Sequence, residues 1–217
     1  ADYYFINRHR DTTYLSRSAE LCEEVLKENP SDVEALWRMA RNYSAFGYYE
    51  SETFAKLAFY EKCKFYAKRA KAADRGSADA HFWYGVGLSR IIQVRGLLQA
   101  LSQGGEVKKA FQKALELDPN HTKAMCALAI WYLEAPRLAG GDVDRSIHWL
   151  KKGLFIDPNY TLFYVYLAKA HVKKKDYESA RIQLNKCLAV KNPSSPADFY
   201  TQDEPQARKL LKEIEGK

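Results

Sequence analysis

The sequence predicts an all-α chain, a solenoid of antiparallel helical hairpins closed by a C-terminal capping helix. Two phrases carry the prediction, Ala114-Leu115-Glu116-Leu117-Asp118-Pro119-Asn120 and Gly153-Leu154-Phe155-Ile156-Asp157-Pro158-Asn159, each an amphipathic helix end stopped by Asp-Pro-Asn. After each comes a helix with the spacing large-x2-Leu-small-x2-large: Met125…Leu128-Ala129…Tyr132, then Tyr164…Leu167-Ala168…His171. A third observation is that the same signature occurs earlier, at Leu36…Met39-Ala40…Tyr43 and His81…Tyr84-Gly85…Leu88. Successive starts there lie 45 and 44 residues apart, so the second and third hairpins are expected to be extended.

In chain order, residues 1–30 read as an aromatic, basic lead-in and half repeat. Leu15, Ser18, Cys22, Val25 and Leu26 share one helical face, and Asn29-Pro30 ends it; the first helix of this repeat is missing or degenerate. Residues 31–75 form an extended repeat that starts at a Ser31-Asp32 cap, with Gly47 closing its first helix and Cys63…Ala67…Ala70 on its second. Residues 76–119 form the next, prolonged through Ile91, Ile92, Val94, Leu97, Leu98 and Leu101, with the turn expected at Gln103-Gly104-Gly105. Repeats at 120–158 and 159–192 follow, the two helices of the first joined by a Pro136…Gly140-Gly141 loop with Asp142 capping the second. Residues 193–217 supply a Pro/Ser-rich linker and the capping helix, with Ala207, Leu210, Leu211 and Ile214 on one side.

Composition sets bounds. With 217 residues, 47% of them hydrophobic, the chain can bury a core, and no apolar run is long enough to cross a bilayer. The net charge of +7 comes from 34 basic residues mixed with 27 acidic ones, which reads as solvated helix faces rather than a nucleic-acid stripe; Lys173-Lys174-Lys175 suits a helix C-terminus. Cys22, Cys63, Cys126 and Cys187 lack C-x2-C spacing and read as buried thiols, and none of His9, His81, His121, His148 or His171 stands in a ligand spacing, so no metal or cofactor is expected. Without a P-loop, an H-E-x-x-H or a G-x-S-x-G, the chain reads as non-enzymatic. It begins at Ala1, ahead of which a leader or anchor could have been removed, so the compartment stays open between periplasm and cytoplasm.

These signatures resemble the tetratricopeptide repeat (TPR) family over about Tyr14–Ala189. The resemblance implies an interaction module or scaffold whose first helices line a concave groove, at the residues one and five beyond each signature start. Those are Trp37 and Arg41, Phe82 and Val86, Cys126 and Ile130, and Val165 and Lys169. Only Arg41 fits the Lys/Asn/Arg clamp with which many family members hold a terminal carboxylate, so an apolar protein or peptide partner is expected instead. The long hairpins, Ala80-His81-Phe82-Trp83-Tyr84 and the Pro136–Asp142 loop are also similar to two divergent TPR groups. The regulator of microtubule dynamics family implies a cytoplasmic adaptor. The periplasmic TPR lipoprotein of TRAP-type transporters implies a carrier of a hydrophobic small molecule, and with it a homo-oligomer. The apolar residues of the long hairpins equally suit a longer core.

Overall fold

The computed structural model describes residues 1–217, all helix, turn and loop. The chain divides into two compact units, Ala1–Ala124 and Met125–Lys217.

The N-terminal unit comprises α1 (Asp2–Ile6), α2 (Tyr14–Glu28), α3 (Val33–Tyr49), α4 (Thr53–Ala73), α5 (Ala78–Arg95) and α6 (Leu97–Leu117), and ends at the start of α7 (Thr122–Glu134). The degenerate first helix is α1, only five residues long. α3, α4 and α5 each start where a side-chain oxygen takes up free amide groups. Asp32 accepts from the Ala35 amide at 2.8 Å, Ser77 Oγ from Ala80 at 3.2 Å, and Glu52 from Phe54 at 2.8 Å and also from Ala55. The Asp-Pro-Asn phrase also has a local cause: Asp118 Oδ1 accepts the Asn120 amide at 2.9 Å while the proline forbids another helical turn. The core contains Leu36, Met39, Cys63, Ala67, Leu88 and Phe111, and burying each large apolar side chain contributes about 1.5–3 kcal/mol.

Both long hairpins are lengthened helices, of 17 and 21 residues and of 18 and 21 residues. Two turns differ from the sequence expectation. Gly47 lies inside α3, and an added Cβ there would stand 2.3 Å from the Tyr60 ring, so this glycine admits an aromatic ring instead of ending a helix. The third hairpin turns at Gly96 (φ +85°), not at Gln103-Gly104-Gly105, because α6 runs straight through both later glycines. One glycine at positive φ suffices to reverse the chain. A Cβ on Gly105 would meet nothing within 4 Å. Gly105→Ala should therefore stabilise the chain by about 0.5–1 kcal/mol in urea unfolding, since alanine is the better helix former; a loss of stability would restore the turn to that position.

The C-terminal unit comprises the rest of α7, a 3-10 turn at Arg137–Ala139, α8 (Val143–Ile156), α9 (Leu162–Lys173), α10 (Tyr177–Ala189), α11 (Pro196–Asp198), a π-turn at Phe199–Asp203 and α12 (Glu204–Glu213). Asp142 caps α8 through the Arg145 amide at 3.0 Å, and Asp176 caps α10 through Ser179 at 3.1 Å. Val165, Ala168, Ala180, Leu184, Cys187, Phe199, Ala207 and Ile214 form one cluster, in which the end of the chain covers the apolar side of α9 and α10. The 193–217 segment, expected to open as a linker, is helical from Pro196 to Glu213. All four cysteines are buried and unbridged, and no helix is long and apolar enough to cross a membrane.

Candidate functional site

Of the eight positions expected to line a groove, four lie in the N-terminal unit and four in the C-terminal unit. In the N-terminal unit Trp37 and Arg41, one helical turn apart on α3, are both buried. The Arg38 guanidinium lies 4.2 Å from the centre of the Trp37 ring and that of Arg41 lies 5.4 Å from it. Above them sits α1: Asp2 pairs with Arg41 at 2.7 Å and with Arg38 at 3.1 Å, and Arg41 stacks 4.0 Å from the Phe5 ring. Burial alone would raise the Asp2 carboxyl, but the two guanidinium groups outweigh it and hold the pKa below the ordinary value. Burial dominates at Arg41 and lowers its pKa despite Asp2. α1 therefore already occupies the face that Trp37 and Arg41 present. Asp2 and Phe5 are the contributors that sequence reasoning missed; their i, i+3 spacing opposite Arg38 and Arg41 was the available signal.

Phe82 is buried as well, its ring 5.0 Å from Trp83, 6.0 Å from Phe111 of α6 and 5.0 Å from His121. His121 Nδ1 accepts the Ala124 amide at 3.1 Å, with Nε2 3.5 Å from Asp79, so it caps α7 while packing on Phe82. Val86 is half-buried, one turn further along α5. Of the four positions in this unit, it is the one with surface left to offer.

In the C-terminal unit Cys126 and Val165 are buried, and burial pushes the Cys126 thiol well above its ordinary pKa. Ile130 and Lys169 are half-buried. The Lys169 ammonium lies 4.4 Å above the Tyr166 ring and is paired with no carboxylate; desolvation lowers its pKa, while Glu134, Asp203 and Glu213 pull the other way. Near the start of α9 a polar contact lies inside the core: Thr161 Oγ1 donates to Asp203 Oδ2 at 2.7 Å, with both residues buried. Desolvation pushes the Asp203 carboxyl up to about 7, with Asp198 adding to the shift and Thr161 and Lys169 opposing it.

Chemically, these surfaces offer apolar contact at Val86 and Ile130 and one cation at Lys169. No nucleophile beside a base stands among these eight positions.

Comparison with known proteins agrees with this architecture. A thermophilic TPR protein of Thermus thermophilus superposes with a TM-score of 0.69 at 17% identity, covering 93% of this chain and 91% of that one. MamA from Desulfovibrio magneticus RS-1 gives a TM-score of 0.54 at 15% identity, covering 87% and 93%. These likenesses establish the TPR fold. The tetratricopeptide repeat family model matches residues 163–193, and the regulator of microtubule dynamics protein 1-3 family model matches residues 2–139. Regulator of microtubule dynamics protein 1 of Mus musculus is 28% identical over 90% of this chain and 68% of its own length. The Caenorhabditis elegans protein of that name is 26% identical over 88% of this chain and 93% of its own. The Pongo abelii one is 27% identical over 83% of this chain, which spans 62% of that relative. With well over half of its length matched by that family model, this TPR chain belongs to the regulator of microtubule dynamics family.

Proposed function

We propose that the chain is a non-catalytic TPR scaffold that holds a protein or peptide partner against the concave faces of its first helices and, as the names of its relatives indicate, takes part in regulating microtubule dynamics. The observation that carries the reading is the surface left at Val86, Ile130 and Lys169 after the other five concave positions are taken into packing. A scaffold needs side chains that are ordered by the fold yet unspent on it, and these three meet that description. Trp37, Arg41 and Phe82 then shape the face of the N-terminal unit from beneath, and Cys126 and Val165 that of the C-terminal unit.

The test is tubulin polymerisation followed by turbidity with the purified chain and with Val86→Glu and Ile130→Glu. Wild-type protein should change the rate or extent of assembly, and each variant should reduce that effect about tenfold, on the order of 1.4 kcal/mol of lost contact. No effect of the wild-type chain would remove the microtubule part of the reading. Variants as active as wild type would remove the concave face from it.

A further inference from the structure

The positive charge of the chain is concentrated in one helix. From Thr53 to Ala73, α4 has five lysines and one arginine against a single glutamate, a surplus of five in a chain whose net charge is +7. Glu61 is already engaged by Lys64 at 2.5 Å and Arg95 at 3.1 Å. Lys56, Lys62, Lys68 and Lys71 have no carboxylate within ion-pair distance, and Arg69 donates to the Pro30 carbonyl at 2.6 Å.

The exposed residues of α4 fall in a line. Phe54, Ala58, Lys62, Phe65, Lys68 and Ala72 recur every three or four residues and all face solvent, while Tyr60, Cys63, Ala67 and Ala70 are buried on the opposite side. Phe54 is 80% exposed and Phe65 is 54% exposed. They stand three helical turns apart, roughly 16 Å, with Lys62 between them and Lys68 beyond. Beneath the line, stacked rings give a firm base: Tyr43 and Tyr66 lie 5.4 Å apart, Phe46 and Phe59 5.6 Å, and the Lys62 ammonium sits 5.2 Å from the Tyr43 ring.

We propose that this outer face of α4 docks an acidic peptide segment that carries an aromatic or aliphatic side chain among its carboxylates. Charge complementarity names the occupant: unpaired ammonium groups at helical intervals match carboxylates, and the exposed rings between them accept an apolar side chain. The strip suits a nucleic acid less well, because α4 carries a single guanidinium, which already donates to the Pro30 carbonyl, and its other cations are lysines that cannot grip phosphate as a fork. It suits a membrane less well too, since two phenylalanines in single file make no broad apolar face. The strip is separate from the concave positions and does not rest on them.

The test is fluorescence anisotropy of two labelled ten-residue peptides, all-glutamate and glutamate with one central phenylalanine, titrated with the full chain at several salt concentrations. Lys62→Glu/Lys68→Glu should weaken both at least tenfold and flatten the dependence on salt; the milder Lys62→Ala/Lys68→Ala serves should the first misfold, with melting curves checked for all variants. Phe65→Ala should weaken only the phenylalanine peptide, about three- to tenfold. Lys151→Glu/Lys152→Glu on α8, with the same change in net charge, should stay within about twofold of wild type. The proposal is overturned if that control loses as much as the α4 variants, or if neither peptide binds wild-type protein at low salt. It is equally overturned if labelled poly(dT) or phosphatidylserine vesicles bind more tightly than the peptides and respond to the same substitutions.

Discussion

Gly87→Ala is expected to destabilise the protein by about 2–3 kcal/mol, despite replacing glycine by the best helix former inside a helix. An alanine Cβ at this position would lie 2.8 Å from the Lys64 backbone nitrogen and 2.9 Å from its Cα. Neither atom belongs to a side chain that can swing away, so α4 and α5 would have to separate. That crossing carries Cys63 beneath the Trp83 carbonyl, with Sγ to O at 3.8 Å, and the buried Ala67, Ala70, Ala80 and Leu88 around it. Helix propensity pulls the other way by about 1 kcal/mol, and the overlap outweighs it because close-packed backbones do not yield locally. Urea unfolding of the variant beside Gly105→Ala gives the comparison, one glycine against backbone and the other in open space. Equal effects from the two would mean that the α4–α5 crossing is looser than its geometry.

Asp203 is expected to make the stability of the chain fall as pH rises towards neutrality. Its folded pKa of about 7 stands above the ordinary value of 3.8 that the carboxyl has in the unfolded chain. A group raised in this way contributes stability that is fully present below pH 3.8 and is lost as pH climbs from there through 7, because the unfolded chain ionises it freely and the fold resists. The difference is on the order of 4 kcal/mol. The cause is local: one hydroxyl, Thr161 Oγ1, donates to a carboxylate otherwise surrounded by the packing of α9, α10 and the π-turn. Asp203→Asn keeps the shape and a Thr161 contact without the charge. Between about pH 5 and neutrality the urea midpoint of wild type should therefore fall relative to that of the variant, leaving the variant the more stable at the alkaline end. If the difference between variant and wild type stayed constant over that range, the carboxyl would not be buried as described.

The helical solenoid was legible because its signals are local. Asp-Pro-Asn stops a helix by means of its own residues, Asp142 caps the helix it precedes, and the large-x2-Leu-small-x2-large spacing places Leu36, Met39 and Ala40 on one face without reference to anything distant. The lengthening of two hairpins followed from the repeat interval together with intervening stretches such as Tyr48–Tyr60, which has no proline or glycine to make a loop. Turn placement was less legible, since glycine has several uses: Gly96 reverses the chain, Gly47 makes room for Tyr60, Gly87 lets two backbones cross, and Gly105 rides in a helix. No single-residue rule separates these, because two of them, Gly47 and Gly87, depend on what another helix brings close.

The residues expected to line a groove divide in the same way. Sequence by itself determined which positions share a helix face, because helical periodicity assigns faces; that this face lines a groove is what the TPR resemblance implies. Only the tertiary structure decided which of them keep surface, since that depends on contacts made across the fold. α1 laid Asp2 and Phe5 over Trp37 and Arg41, Phe111 and His121 took up Phe82, and Val86, Ile130 and Lys169 remained half-open. Asp203 shows the limit most plainly: in sequence it is an ordinary acidic residue before a helix, and its pKa near 7 exists only because chain 42 residues away folds back to bury it against Thr161.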